Sequence, residues 1–308
     1  MCVLVTGGAG FIGSYLVPAL LDRGTDVVVF DLADDPPSLA KVRDKISYVR
    51  GDLSSPHDLY RAFLGREIRG VFHLGSILAG PCDADPIRGF KVNFGSTQAL
   101  LDASVAAKVQ RFIMISSISV FGRGAQEPVK DDALKEPANI YGQTKLAGEH
   151  LMRWYAEKHG LDTRAPRFTW VYGPGRTTGI TALYSSLLLD AVAGGKEVLV
   201  ENPDEQGDWL YVRDAVKALL CLYDAPEAPQ RFYNIAGGAY SVRQVMEAAK
   251  KIRPDAKIRF AATSRILSPY PAVYDDTPAR EELNWKPDYS MEDAVREHLE
   301  LVAKQYGK

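Results

Sequence analysis

Tyr141 and Lys145 stand four residues apart in the run Tyr141-Gly142-Gln143-Thr144-Lys145. On a helix starting near Ile140 that spacing puts both side chains on one face. A phenol has a reference pKa of about 10 and is a poor base at neutral pH. A nearby ammonium and a positively charged nicotinamide both favour the phenolate. Such a pair can take the proton of an alcohol while hydride leaves the alcohol carbon. Lys145 would also hold the nicotinamide ribose. YxxxK recurs by chance in helices, so its surroundings decide its weight. Ser116 and Ser117 end the preceding strand, and strand ends in a parallel sheet point at the ligand crevice. Ser117 is placed to hold the substrate oxygen opposite Tyr141, and Ser119 to line the same pocket.

A second constellation sits at residues 6–13, Thr-Gly-Gly-Ala-Gly-Phe-Ile-Gly, between a first strand and a first helix. Gly7 allows the sharp turn, Gly10 lets the backbone approach a pyrophosphate, and Gly13 lets the helix pack closely. Phe11 and Ile12 open a helix whose N-terminal N–H groups suit an anion. The second strand ends in Asp31, a carboxylate able to accept both ribose hydroxyls of NAD. Leu32 and Ala33 offer no arginine for the extra phosphate of NADP, so NAD is the expected cofactor. Asp52, followed by Leu53, ends the third strand within reach of an adenine amino group. Asn93 reads as a cap of the helix it opens. His73 reads as a satisfied strand histidine, and no metal is expected.

These residues need a frame. Strands are expected at Cys2–Thr6, Val27–Asp31, Ile46–Arg50, Val71–Leu74, Arg111–Ser116 and Thr163–Val171. Helices are expected at Phe11–Arg23, Pro56–Leu64, Val92–Lys108 and Ile140–His159. The alternation predicts an α/β fold: a Rossmann-type doubly wound parallel sheet with helices on both faces. After Gly173-Pro174-Gly175 the punctuation changes. Helices are expected at Ala182–Ala193, Asp214–Asp224, Val242–Ile252 and Glu292–Lys304, with short strands at Glu197–Val200 and Trp209–Val212. Residues 1–172 are read as the NAD-binding domain and 173–308 mainly as a smaller C-terminal substrate-binding domain, with part of 213–240 returning to the sheet.

Bulk properties narrow the class. The 308 residues carry a net charge of −2, with 46% hydrophobic and 25% charged residues. That balance gives no electrostatic footprint for nucleic acid or an anionic membrane. Three scattered cysteines, Cys2, Cys82 and Cys221, suit neither a disulfide framework nor a zinc site. Without a secretory signal or a run long enough for a membrane helix, the expectation is a cytoplasmic protein acting on a small molecule.

The ordered motifs resemble the extended short-chain dehydrogenase/reductases, the NAD-dependent epimerase/dehydratase group. The resemblance runs through TGGAGFIG at 6–13, Asp31, GDL at 51–53, HLGS at 73–76 and KVNFGST at 91–97. It continues in ISSISVFG at 115–122, YGQTK at 141–145, VYGPG at 171–175, DWLYVRDAV at 208–216 and AREELNWKP at 279–287. It implies Ser117, Tyr141 and Lys145 as a catalytic triad supported by Asn93. It also implies cofactor contacts from Leu53, Leu74, Asn93 and Ser116, and substrate contacts from Ser76, Ser119, Trp170 and Arg176. A homodimer through a four-helix bundle is implied as well, for which Leu151, Trp154 and Tyr155 are suited.

Departures from the pattern point to the substrate. Relatives acting on nucleotide sugars usually carry Asn where this chain has Trp170, and Arg where it has Gly207. A diphosphate held without them loses charge-assisted bonds worth about 1.5–3 kcal/mol each. The Asp-Glu pair of the dehydratases is replaced by Ile118 and Ser119, and Ile77 and Leu78 put apolar surface beside the pocket. The expected activity is NAD-dependent oxidation of a small non-nucleotide secondary alcohol, as in the threonine-dehydrogenase type. Arg123 or Arg176 could pair with a substrate carboxylate. The alternative is a sugar epimerase that retains its NAD. A non-catalytic dinucleotide sensor is the third reading.

Overall fold

The computed structural model describes residues 2–262 and 270–305. Seven parallel strands form the main sheet: β1 (Cys2–Thr6), β2 (Asp26–Asp31), β3 (Ser47–Arg50), β4 (Ile68–His73), β5 (Arg111–Met114), β6 (Asp162–Phe168) and β7 (Phe232–Ile235). Their order across the sheet is β3-β2-β1-β4-β5-β6-β7. The strands alternate faces. Val3, Val5, Val27 and Val29 pack into one hydrophobic cluster, while Leu4, Val28 and Phe30 pack into the other. Both faces are covered, which is why these strands read as unbroken apolar runs.

The chain order reverses between β1 and β4, which is where an open α/β sheet leaves a crevice at its strand ends. The loops leaving those two strands meet there. Gly7, at φ +67°, lies so close to Gly75 that a Cβ would stand 2.6 Å from the Gly75 Cα. The resulting architecture is the α/β Rossmann-type sheet expected above.

Several elements depart from the expected boundaries for local reasons. The run expected as one strand over Thr163–Val171 divides at buried Thr169. Its second part, Trp170–Tyr172, leaves the main sheet and pairs in parallel with Gln206–Tyr211, whose other edge takes Ala239–Ser241 antiparallel. Likewise Arg111–Ser116 ends at Met114, and Ser116–Ser117 pairs only with β6. The helix expected over Ala182–Ala193 is broken into Ile180–Leu183 and Ser186–Ala193. The break turns Ser186 inward, where its hydroxyl accepts the Gly173 N–H at 3.1 Å.

Residues 212–235 return to the main sheet, as helix Val212–Asp224 and edge strand β7 beside β6. The 20-residue helix Ile140–His159 starts and stops as its sequence suggests. Asn139 caps it by accepting the Gly142 N–H at 2.8 Å, and Gly160 ends it at φ +67°. No helix of the described residues is long and apolar enough to cross a membrane.

Candidate active site

Position begins with Gly142. A Cβ there would lie 2.1 Å from the Ser119 carbonyl oxygen. Only glycine therefore lets the first turn of this helix press against the Ser117–Ser119 segment. The contact brings Tyr141 beside Ser117, and their side chains hydrogen-bond. Ser117 Oγ also accepts the Ser119 N–H at 3.1 Å and lies 3.2 Å from Ser119 Oγ.

Burial pushes Tyr141 up to about 12; the Ser117 hydrogen bond pulls the other way, as does Arg176 more weakly. Lys145 is buried, and desolvation draws its pKa down to about 8. Its Nζ donates to the Ile115 carbonyl at 2.8 Å and lies 5.5 Å from the centre of the Tyr141 ring. Two of its three N–H donors remain for a ligand.

The crevice floor is glycine. Gly10 is exposed and its Cβ position meets only the Gly7 carbonyl, at 3.1 Å, so its surface is open. Gly13 has a different partner from the expected one. A Cβ there would strike the Gly8 carbonyl oxygen at 2.4 Å, so it seats the helix on the loop and not on the sheet. Helix Gly13–Asp22 carries no side-chain cap and no acidic residue in its first turn. Phe11 and Ile12, both partly buried, precede it. That uncapped end, over a close backbone approach, fits a pyrophosphate.

Asp31 is partly buried and accepts Ala9 N–H at 3.0 Å and Ala33 N–H at 3.2 Å, one on each oxygen. Each oxygen keeps a lone pair for a ribose hydroxyl. Asp52 is exposed and accepts the Ser54 N–H at 2.7 Å. Leu53 reaches over Gly75, beside Leu74 and Ser76 in the loop after β4. The residues present thus fit NAD.

The side chains of three expected ligands are also engaged within the protein. Asn93 does not cap the following helix, which runs Gly95–Ala106 after a wide turn at Phe90–Phe94. Its Oδ1 accepts the Ile77 N–H at 2.9 Å, while its Nδ2 donates to the Ile77 carbonyl at 3.0 Å and to Thr144 Oγ1 at 3.1 Å. It therefore ties the loop after β4 to the Tyr141 helix. The Ser116 hydroxyl turns away from the crevice to Glu149, at 2.6 Å, which is paired with buried Arg167. Trp170 is 4% exposed and packs edge-on to Tyr184 and Trp209. His73 behaves as expected: Thr6 Oγ1 lies 2.7 Å from Nδ1 and Ser96 Oγ 3.1 Å from Nε2. Arg123 is exposed, whereas Arg176 is partly buried in the loop after Trp170–Tyr172.

Sequence reasoning missed Tyr270. Its hydroxyl accepts from Asn139 Nδ2 at 2.7 Å and hydrogen-bonds to Ser119. It joins the C-terminal half to the cap of the catalytic helix, and no local signal marks it. Asn139 was missed as well, although an Asn just before a helical run is an ordinary N-cap signal. For the bundle face, Tyr155 is corrected to a buried residue whose hydroxyl donates to Asp102, and Leu151 is partly buried against the core. Trp154, 47% exposed, is the one that faces outward.

A glycine-lined crevice at the sheet's switch point, with a serine, tyrosine and lysine beside it, defines a dinucleotide-dependent oxidoreductase class. The family model for the NAD dependent epimerase/dehydratase family matches residues 3–236, and the chain belongs to that family. It is an NAD-dependent enzyme of the extended short-chain dehydrogenase/reductase group. It is 29% identical to a UDP-glucose 4-epimerase of Streptomyces lividans over 92% of this chain and 91% of that one. It is 30% identical to a D-erythronate dehydrogenase of Cupriavidus necator over 97% and 98%. Among solved structures, MoeE5 in complex with UDP-glucuronic acid and NAD is 30% identical with a TM-score of 0.84, covering 99% of this chain and all of that one.

Proposed function

We propose that this protein oxidises a secondary alcohol of a small non-nucleotide substrate, releasing NADH. Ser117 holds the substrate oxygen, Tyr141 exchanges its proton, and Lys145 anchors the nicotinamide ribose through its remaining N–H groups. NAD, when bound, supplies the hydride acceptor. Gly7, Gly10, Phe11, Ile12 and Gly13 form the pyrophosphate cradle, Asp31 the ribose site, and Asp52, Leu53 and Leu74 the flanking walls, with Ser76 on the substrate side. Asn93 acts as a positioning residue. Residues 1–172 with the returning 212–235 hold the dinucleotide, and most of 173–308 covers the substrate. The protein acts as a cytoplasmic homodimer with Trp154 at the bundle face; three free cysteines support the reducing compartment.

One observation carries the substrate reading. The Trp170 ring fills the space over Gly207, where a Cβ would meet it at 2.4 Å. The two positions at which nucleotide-sugar relatives place Asn and Arg are occupied here by one packed indole. Relatives named for erythronate and for threonine fit this reading. Those named for UDP-glucose favour the alternative of an epimerase that retains its NAD.

Absorbance at 340 nm, with NAD and a panel of hydroxy acids, hydroxy amino acids, free sugars and nucleotide sugars, decides between them. NADH formation from a small alcohol, abolished in Tyr141→Phe, is the expected result. Isomerisation of a nucleotide sugar without net NADH would establish the epimerase instead.

A further inference from the structure

Arg176 sits in the loop between Gly175 and Gly179, which turn at φ +88° and +90°. Its Nη1 donates to the Val171 carbonyl, and its Nη2 donates to Thr181 Oγ1 at 2.6 Å. The Thr178 carbonyl is 3.5 Å from Nε, at the far limit of a hydrogen bond. All three acceptors are neutral. Among the described residues no carboxylate pairs with this guanidinium, and one N–H on each terminal nitrogen is left without an acceptor.

The guanidinium lies near the catalytic tyrosine and the loop after β4. The Cβ position of Gly179 lies 3.4 Å from Arg176 Nη2 and 3.2 Å from Leu78 Cδ1, so the guanidinium lies beside the apolar loop after β4. The groups that act on its charge are Tyr141 and Tyr184, and burial draws its pKa down to about 10. Elsewhere in the core, arginine is paired: Arg167 with Glu149 and Arg164 with Asp162, each at 2.7 Å. A guanidinium cannot shed its proton, and a desolvated unpaired one is costly. The ligand that relieves this cost is an anion with two oxygens spaced for a fork of N–H groups.

We propose that Arg176 is the carboxylate-binding residue of the substrate pocket, so that the substrate is a short hydroxy acid. Its carboxylate pairs with Arg176 while its hydroxyl lies between Ser117 and Tyr141. Lys145, also at this site, donates to the Ile115 carbonyl and is assigned to the dinucleotide side. This assignment rests on the alcohol-oxidation reading for the hydroxyl, but the carboxylate site can be tested apart from it.

Two measurements make the test. First, hydroxy acids and their amides are compared as substrates with NAD at 340 nm. The acid is expected to win by about 10²-fold in kcat/KM, mostly through KM. In Arg176→Gln that preference should collapse because the acid alone suffers, and Arg176→Lys should recover part of it. Second, malonate is titrated into the NADH-loaded enzyme by NADH fluorescence. Binding is expected in the unsubstituted protein and in Tyr141→Phe, but not in Arg176→Gln. Equal use of acid and amide, or malonate binding unchanged in Arg176→Gln, would overturn the proposal. Arg176-dependent malonate binding with no alcohol oxidised would leave the carboxylate site standing and sink the oxidation reading alone.

Discussion

The indole of Trp170 and the backbone of Gly207 share one space. They lie on neighbouring parallel strands, where Trp170 pairs in register with Trp209, two residues beyond Gly207. The ring atoms Cε3, Cζ3 and Cδ2 all stand 2.4–2.5 Å from the point a Cβ on residue 207 would occupy. The two positions must therefore change together. We expect Gly207→Ala alone to destabilise by about 1–3 kcal/mol, the range for overpacking a filled core. Trp170→Asn should leave a void, yet the double substitution should cost less than the sum. A double-mutant cycle by urea unfolding measures that coupling; strict additivity would mean the ring simply swings aside.

Tyr141 is a phenol, not a phenolate, in the protein without its dinucleotide, since burial holds it near 12. The difference in absorbance at 295 nm between wild type and Tyr141→Phe should stay flat to about pH 10, the reference value for an unperturbed phenol. Ser117→Ala removes the hydrogen bond that lowers this group, so Tyr141 should titrate later still. A step near neutral pH in the unliganded protein would contradict the burial argument. In turnover, Tyr141→Phe should lose about 10²–10⁴-fold in kcat.

Asn93 is bound on both its polar ends by protein, so its loss should act through position. Asn93→Ala leaves the Ile77 N–H and carbonyl without their partner and should cost about 1–3 kcal/mol of stability. Binding of NAD, followed by fluorescence, should weaken less than kcat falls. An equal loss in both would make Asn93 a direct ligand of the dinucleotide.

Tyr270 holds Asn139 and Ser119 with one hydroxyl. Tyr270→Phe keeps the ring and removes both bonds. Loss of support for the Asn139 cap should cost about 1 kcal/mol, the typical worth of a cap. The same change frees Ser119, so kcat should fall while Kd for NAD holds. An unchanged kcat would show that the hydroxyl contributes to folding only.

His73 gives the stability a pH slope. Burial holds its folded pKa at about 3, against 6.5 for the free side chain. Its folded value is depressed, so the unfolded chain binds the extra proton in the window between them. Stability from this group is full above 6.5 and falls as pH drops toward 3, by about 1.4 kcal/mol per unit. Buried Asp131, Asp208 and Asp214, raised to about 6 by burial, act in the opposite sense: their contribution is lost as pH rises toward 6. The His73→Gln variant isolates the first effect. Its urea-unfolding profile between pH 4 and 6 should be displaced from wild type by that one-proton slope.

Much of the site could be read from spacing because its parts are local. The turn at Gly7 and the i, i+4 pair of Tyr141 and Lys145 each depend on residues a few positions apart. Backbone geometry alone sets their relation. The parallel sheet was equally legible, since strands covered on both faces must be apolar at every position. Tertiary structure decided what depends on contact between distant segments. It spent the Asn93 side chain on Ile77 and Thr144, turned Ser116 toward Glu149, and brought Tyr270 onto the catalytic helix. It also placed Trp170 over Gly207 and set Arg176 among the neutral acceptors of Val171, Thr178 and Thr181. Sequence names the group at each position, but a hydrogen bond or a steric clash is set by which surfaces meet when the two halves of the chain close on each other.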